Sequence, residues 1–147
     1  MGVIEVSPAV PIPLPMPTPV SRPFWDALRE HRILIQYSPS AGRYVFYPRT
    51  LAPGTLADDL EWREIDGAGT LYTYTVARRP TGPPWAERLP QLLAVVEWDV
   101  GPRFSTELVD VDPADIRVGM RVAPVFVDVP GHPITVLRYR PAKDVGA

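Results

Sequence analysis

The chain has 147 residues, a hydrophobic share of 46%, 22% charged residues, a formal net charge of −2 and no cysteine. Without cysteine there can be no disulfide framework, thiolate zinc site, iron–sulfur cluster or Cys nucleophile, and His31 and His132 alone are too few for a histidine-built metal site. The slightly negative charge argues against a protein built to coat nucleic acid or an anionic membrane, and no apolar run reaches the ~20 residues of a membrane span. The length fits one domain of ordinary size. Met1 is followed by Gly2-Val3-Ile4-Glu5 rather than a basic region, so no secretory signal is expected and the chain reads as soluble and cytoplasmic.

Residues 1–20 form a proline-rich arm. Pro8, Pro11, Pro13, Pro15, Pro17 and Pro19 alternate with mostly apolar residues, which excludes helix and central strand and predicts an extended course near polyproline II. Such an arm can lie across its own domain or on a partner, and the sequence alone favours neither. Residues 21–32 predict a short helix, with Ser21 at the N-cap, Pro23 in the first turn, and an apolar stripe of Phe24, Trp25 and Leu28. His31 at its end is expected to complement the helix dipole.

Residues 33–58 read as two small knuckles joined by a hairpin, with strands at 33–37 and 44–47 and turns at 38–42 and 52–55. Their apolar content is too small for an independent core. Residues 59–147 read as all-β. Strands are expected at 70–76, 91–98, 104–111, 121–129 and 134–140, with a turn at Gly101-Pro102 and a helical turn capped by Asp112 before the fourth strand. That order predicts a five-stranded Greek-key barrel of the OB type. The fold class is therefore mainly β, with an N-terminal arm and one short helix.

Reactive groups are sparse. No H-E-x-x-H or G-x-S-x-G pattern occurs, and no catalytic residue is assigned. Asp58-Asp59 reads as a solvated acidic surface. Gly67-Ala68-Gly69 precedes a strand rather than a helix, so it predicts a bend, with Gly69 allowing a bulge or positive φ, and not a phosphate site. One cluster carries binding chemistry: Arg78 and Arg79 with Trp85 combine phosphate-matching guanidinium groups with a stacking aromatic, suited to the nucleotide of a coenzyme or to single-stranded nucleic acid. A plain surface loop is the competing account.

Phe24-Trp25-Asp26-Ala27-Leu28, Ile35-Gln36, Pro48-Arg49, Leu60-Glu61-Trp62 and Gly67-x-Gly69-Thr70-x-Tyr72-x-Tyr74-Thr75-Val76, followed by Arg79-Pro80, Val96-Glu97 and Val118-Gly119-Met120-x-Val122, form an ordered series over about residues 20–140. The series resembles the family with a rubredoxin-like zinc ribbon and an OB-fold, domain of unknown function family 35. In that family two C-x-x-C knuckles hold zinc. The matching positions here are Ser38, Ala41, Ala52 and Thr55, so the resemblance implies a ribbon remnant without metal, held by packing of Tyr37, Tyr44, Phe46 and Tyr47 or supported by a partner.

The resemblance further implies a non-catalytic accessory subunit of a thiolase-like acyl-CoA enzyme, such as a thiolase, a condensing enzyme or a steroid side-chain aldolase, that helps assemble the complex and shape its acyl-CoA site. The chain would bind no cofactor itself but could meet the CoA of the partner's substrate through Arg78, Arg79 and Trp85. Phe24, Trp25, Leu28, Pro15 and Pro17 are the expected partner-binding residues, because so short an apolar segment cannot hide its own surface. The alternative is a single-stranded nucleic-acid binder on the OB-fold, which the net charge disfavours.

Overall fold

The computed structural model describes residues 12–143, so Pro8 and Pro11 of the arm lie outside the described residues. From Ile12 to Thr18 the arm has no regular secondary structure. Helix α1 (Arg22–Arg29) follows, with Pro23 in its first turn. Ser21 occupies the N-cap position, but its hydroxyl does not cap the helix. It accepts instead from the Thr18 amide at 2.9 Å and so ties the arm to the helix start.

Strands β1 (Ile33–Ser38), β2 (Arg43–Val45) and β3 (Glu61–Ile65) form one antiparallel sheet in the order β2-β1-β3. Strand β3, just past the boundary read at residue 59, thus pairs with the ribbon. Ile65 pairs with Ile33 and Trp62 with Gln36, so the ribbon sheet extends to Ile65 and the barrel starts beyond it.

Strands β4 (Gly69–Ala77), β5 (Gln91–Trp98), β6 (Arg103–Glu107), β7 (Arg121–Asp128) and β8 (Thr135–Pro141) form the second sheet, ordered β6-β5-β4-β7-β8. It closes on itself where Leu108, just past β6, bridges Tyr139 in parallel and the Val109 amide donates to the Tyr139 carbonyl at 2.8 Å. Strand β4 pairing with both β5 and β7, and a parallel closure between the third and fifth barrel strands, is the expected OB topology. A 3-10 turn at Pro113–Asp115 precedes the fourth barrel strand, and Asp112 accepts from the Ala114 amide at 2.8 Å.

The bend into the barrel differs from expectation. Positive φ falls on Gly67 (77°), and the register shift lies between Leu71 and Thr73. Gly69 is required for another reason: a Cβ there would meet the Glu97 carbonyl oxygen at 2.5 Å. β4 can run this close to β5 only without a side chain.

Both sheets share one core. Phe24 and Leu28 from α1, Ile33 and Ile35 from β1, and Leu71, Val96, Trp98, Val122 and Tyr139 from the barrel belong to one buried cluster. The helix and ribbon sheet thus pack on the barrel of the same chain, a support that does not depend on a partner. No described helix is long and apolar enough to cross a membrane.

Candidate functional site

The arm, α1, the segment after β2, and strands β6 and β8 enclose a groove of about 580 Å³. That volume lies within the roughly 300–1,000 Å³ of small-molecule sites. Ile12, Leu14 and Pro15 form the arm's wall, and Trp25 stands beside them. The aromatic wall is built by contacts among rings from separate elements. Phe46 packs on Phe24, Phe104 and Trp98 at centroid distances of 5.4, 5.5 and 5.2 Å, and Trp98 stacks on Phe104 at 5.2 Å. Gln36 holds the neighbouring loop in place, donating to the Arg49 carbonyl at 2.8 Å and accepting from the Arg49 amide at 2.7 Å.

The charged end of the groove comes from Arg138 in β8 and Arg88 in the 3-10 turn Pro83–Arg88, with Trp85 beside them. Burial pulls the Arg138 guanidinium below its ordinary value, the charge of Glu107 works against that, and the like charge of Arg88 adds to it. Glu107 stands 4.0 Å from Arg138 and is fixed by a 3.0 Å hydrogen bond from Gln91 Nε2.

The structure divides the residues expected at a partner surface. Phe24 and Leu28 are 3% and 0% exposed, so they belong to the chain's own core and offer no side chain to a partner. The hydrophobic drive that marks an amphipathic helix is satisfied on that face by the barrel. Trp25 and Pro15 are half-buried and line the groove, and Pro17 is half-buried outside the lining. The expected coenzyme cluster is also divided. Trp85 faces the groove, whereas Arg78 and Arg79 are exposed and outside it. Arg88, Arg138 and Phe104 are lining residues that sequence reasoning did not single out, and Tyr47, expected to pack the knuckles, lines the groove as well.

The knuckles are held by a polar network. Ser38 is 0% exposed; its hydroxyl donates to Asp59 at 3.2 Å and accepts from the Ala41 amide at 3.2 Å. The Ser40 amide donates to Asp59 Oδ2 at 2.8 Å. This corrects the expectation of packing alone and reassigns Asp59 from a solvated acid to a staple. Ala41 and Ala52 carry no donor atoms and the Ser38 hydroxyl is engaged with Asp59, so these positions do not fit zinc. Among the described residues no three His, Cys, Asp or Glu side chains gather as a metal set.

The Ser40 hydroxyl and amide, with the Ser38 hydroxyl, hold the Asp59 carboxyl below its ordinary 3.8. A lowered folded value means that the stabilisation is present above 3.8 and lost as pH falls through the folded value. Asp59→Ala should therefore speed amide exchange at Ser40 and Ala41 near neutral pH, with the difference from the parent chain disappearing in acid. Equal exchange at neutral pH would show that the network does not hold the knuckles.

His31 departs from its expected role at the helix end. Its ring stacks on Phe126 at 5.2 Å and its Nε2 lies 3.0 Å from Asp128, which also accepts from the Thr135 hydroxyl at 2.7 Å. Thr135 bonds the carboxylate and not the imidazole, so the trio is a latch between α1 and the barrel and not a nucleophile relay.

Residues 62–127 match the family model described as "ChsH2, C-terminal OB-fold domain". A DUF35 domain-containing scaffold protein of Pyrococcus furiosus is 33% identical over 103 residues, covering 70% of this chain and 74% of that protein. A probable enoyl-CoA hydratase alpha subunit of Thermomonospora curvata is 31% identical over 120 residues; the match covers 81% of this chain but only 37% of that subunit's length. A chain of the solved structure described as "Ltp2-ChsH2(DUF35) aldolase" superposes with a TM-score of 0.76 at 26% identity, covering 87% of this chain and 98% of that one.

Proposed function

The chain belongs to the DUF35 family of OB-fold scaffold proteins, and from that premise we propose that it is a non-catalytic accessory subunit of an acyl-CoA enzyme complex, acting in the cytoplasm. The observation that carries this reading is the likeness to the Ltp2-ChsH2(DUF35) aldolase chain, which extends over 98% of that chain and 87% of this one. The name of the hydratase alpha subunit supports acyl-CoA chemistry as the setting. The partner is a thiolase-like subunit that supplies the nucleophile and the acid–base groups. This chain supplies surface and helps shape the acyl-CoA site. It carries no cofactor of its own, and Arg78, Arg79 and Trp85 are its candidates for contact with the CoA of the partner's substrate.

Trp25, flanked by Pro15 and Pro17 of the arm, is the partner anchor in this reading. A restricted proline backbone loses less entropy on docking than a flexible tail, and truncating an aromatic anchor weakens association by about 2 kcal/mol or more. Trp25→Ala should thus loosen the complex while the isolated chain keeps most of its thermal midpoint. A lowered midpoint with unchanged affinity would assign Trp25 to the chain's own packing instead. The reading as a whole is tested by co-expressing the chain with a thiolase-like subunit from the same genome. The two should purify as one species of fixed ratio, and separate elution at micromolar concentration would contradict it.

A further inference from the structure

We propose that the groove between arm, α1 and barrel binds an amphipathic carboxylate, an apolar chain ending in a single negative charge, with Arg138 receiving the carboxylate. The inference stands on the groove itself and does not require the accessory-subunit reading.

Arg138 has a side chain only 22% exposed. Among the described residues its guanidinium has one ionic contact, Glu107 at the outer limit of 4.0 Å, and donates no hydrogen bond. A guanidinium carries five N–H donors in a planar fork that matches a carboxylate. None of the atoms involved is sealed away unsatisfied, since among the described residues no fully buried side-chain nitrogen or oxygen lacks a partner. The open donors of Arg138 therefore face accessible space, and Arg138 lines the groove. A partly desolvated cation beside apolar walls attracts an anion more strongly than a surface arginine does.

The walls decide the rest of the ligand. Ile12, Leu14, Trp25, Phe46, Phe104 and Val136 give the groove an apolar body leading to the charged end. Glu107, fixed beside Arg138, offsets part of the positive charge that Arg138 and Arg88 bring to this end, and so favours a monoanionic carboxylate over a dianionic phosphate. A chain such as dodecanoate meets both requirements: hydrocarbon against the aromatic wall and one carboxylate at the guanidinium.

The test is titration of the full chain, without partner, by dodecanoate, dodecyl phosphate and dodecanol, read by calorimetry and by intrinsic tryptophan fluorescence, to which the groove residues Trp25 and Trp85 contribute. Dodecanoate should bind with one site per chain and more tightly than the other two. Arg138→Gln should weaken dodecanoate by roughly tenfold to a hundredfold and leave dodecanol unchanged, and Arg138→Lys should restore part of the loss. Thermal midpoints of both variants show that the fold is kept. Equal binding of dodecanoate and dodecanol, no binding of either, or an Arg138→Gln variant as tight as the parent would overturn the proposal. So would a concentration-dependent dimer that dodecanoate does not dissociate, which would mean a second copy fills the groove. Failure of this titration leaves co-purification with a thiolase-like subunit untouched, so the two proposals fail separately.

Discussion

Phe24→Ala should lower the folding stability of the isolated chain by about 3–5 kcal/mol, the range for emptying a buried phenylalanine site. The ring is 3% exposed and contacts Trp25, Phe46 and Phe104 at 5.2, 5.4 and 6.3 Å, so it joins α1, the loop after β2 and the barrel. For a domain of this size the thermal midpoint should fall by on the order of 10 °C or more. Affinity for a partner should fall only in proportion to the folded fraction. This sets Phe24 against its neighbour Trp25, whose half-exposed ring should act in the opposite way. An unchanged midpoint for Phe24→Ala would show that the helix does not depend on the barrel.

The second large effect is expected at Tyr139. Its hydroxyl accepts from Trp98 Nε1 at 2.6 Å and donates to the Gly67 carbonyl at 2.8 Å, both inside the core. Gly67 lies in the link between ribbon and barrel, so this one hydroxyl fastens the two sheets together. Tyr139→Phe strands a buried donor and a buried acceptor, which should cost about 2–4 kcal/mol in urea unfolding near neutral pH. Burial, together with the charge of Asp66, raises the phenol above its ordinary 10.0, while the hydrogen bond from Trp98 pulls the other way. With a raised folded value, this group's contribution is present below pH 10.0 and lost as pH climbs through the folded value. The parent chain should lose stability above that pH, and the Phe variant should lack the part of the slope that belongs to Tyr139. Equal urea midpoints at neutral pH would remove the hydroxyl from the account of how the sheets are joined.

The barrel was legible because its strands carry their own signals. Gln91–Trp98 alternates buried and less buried residues over most of its length, and its boundaries match those read from sequence. Strand β3 was not legible in this way. In Glu-Trp-Arg-Glu-Ile only Ile65 is buried, and just its pairing with Ile33, distant in sequence, assigns the segment to the ribbon. Phe24 and Leu28 were visible as an apolar face, but sequence periodicity does not say what covers such a face, and the barrel does. Asp59 looks like any surface acid beside Asp58 until the hairpin brings Ser38 and Ser40 against it. The groove is hardest of all to read. Arg88 and Arg138, Phe46 and Phe104 are dispersed along the chain and meet only once the barrel closes and the arm crosses it. Arg138 lies between buried Leu137 and Tyr139, which is the sequence pattern of an ordinary outward-facing strand position.

The central claim, that this chain serves another subunit's chemistry, is tested most directly by acyl-CoA turnover in three samples: the purified chain alone, the thiolase-like subunit alone, and the two mixed at increasing ratio. The chain alone should show no turnover, and the partner's rate should rise with added chain and saturate at a fixed stoichiometry. Turnover by the chain alone, or a partner rate unaffected by its addition, would contradict the claim.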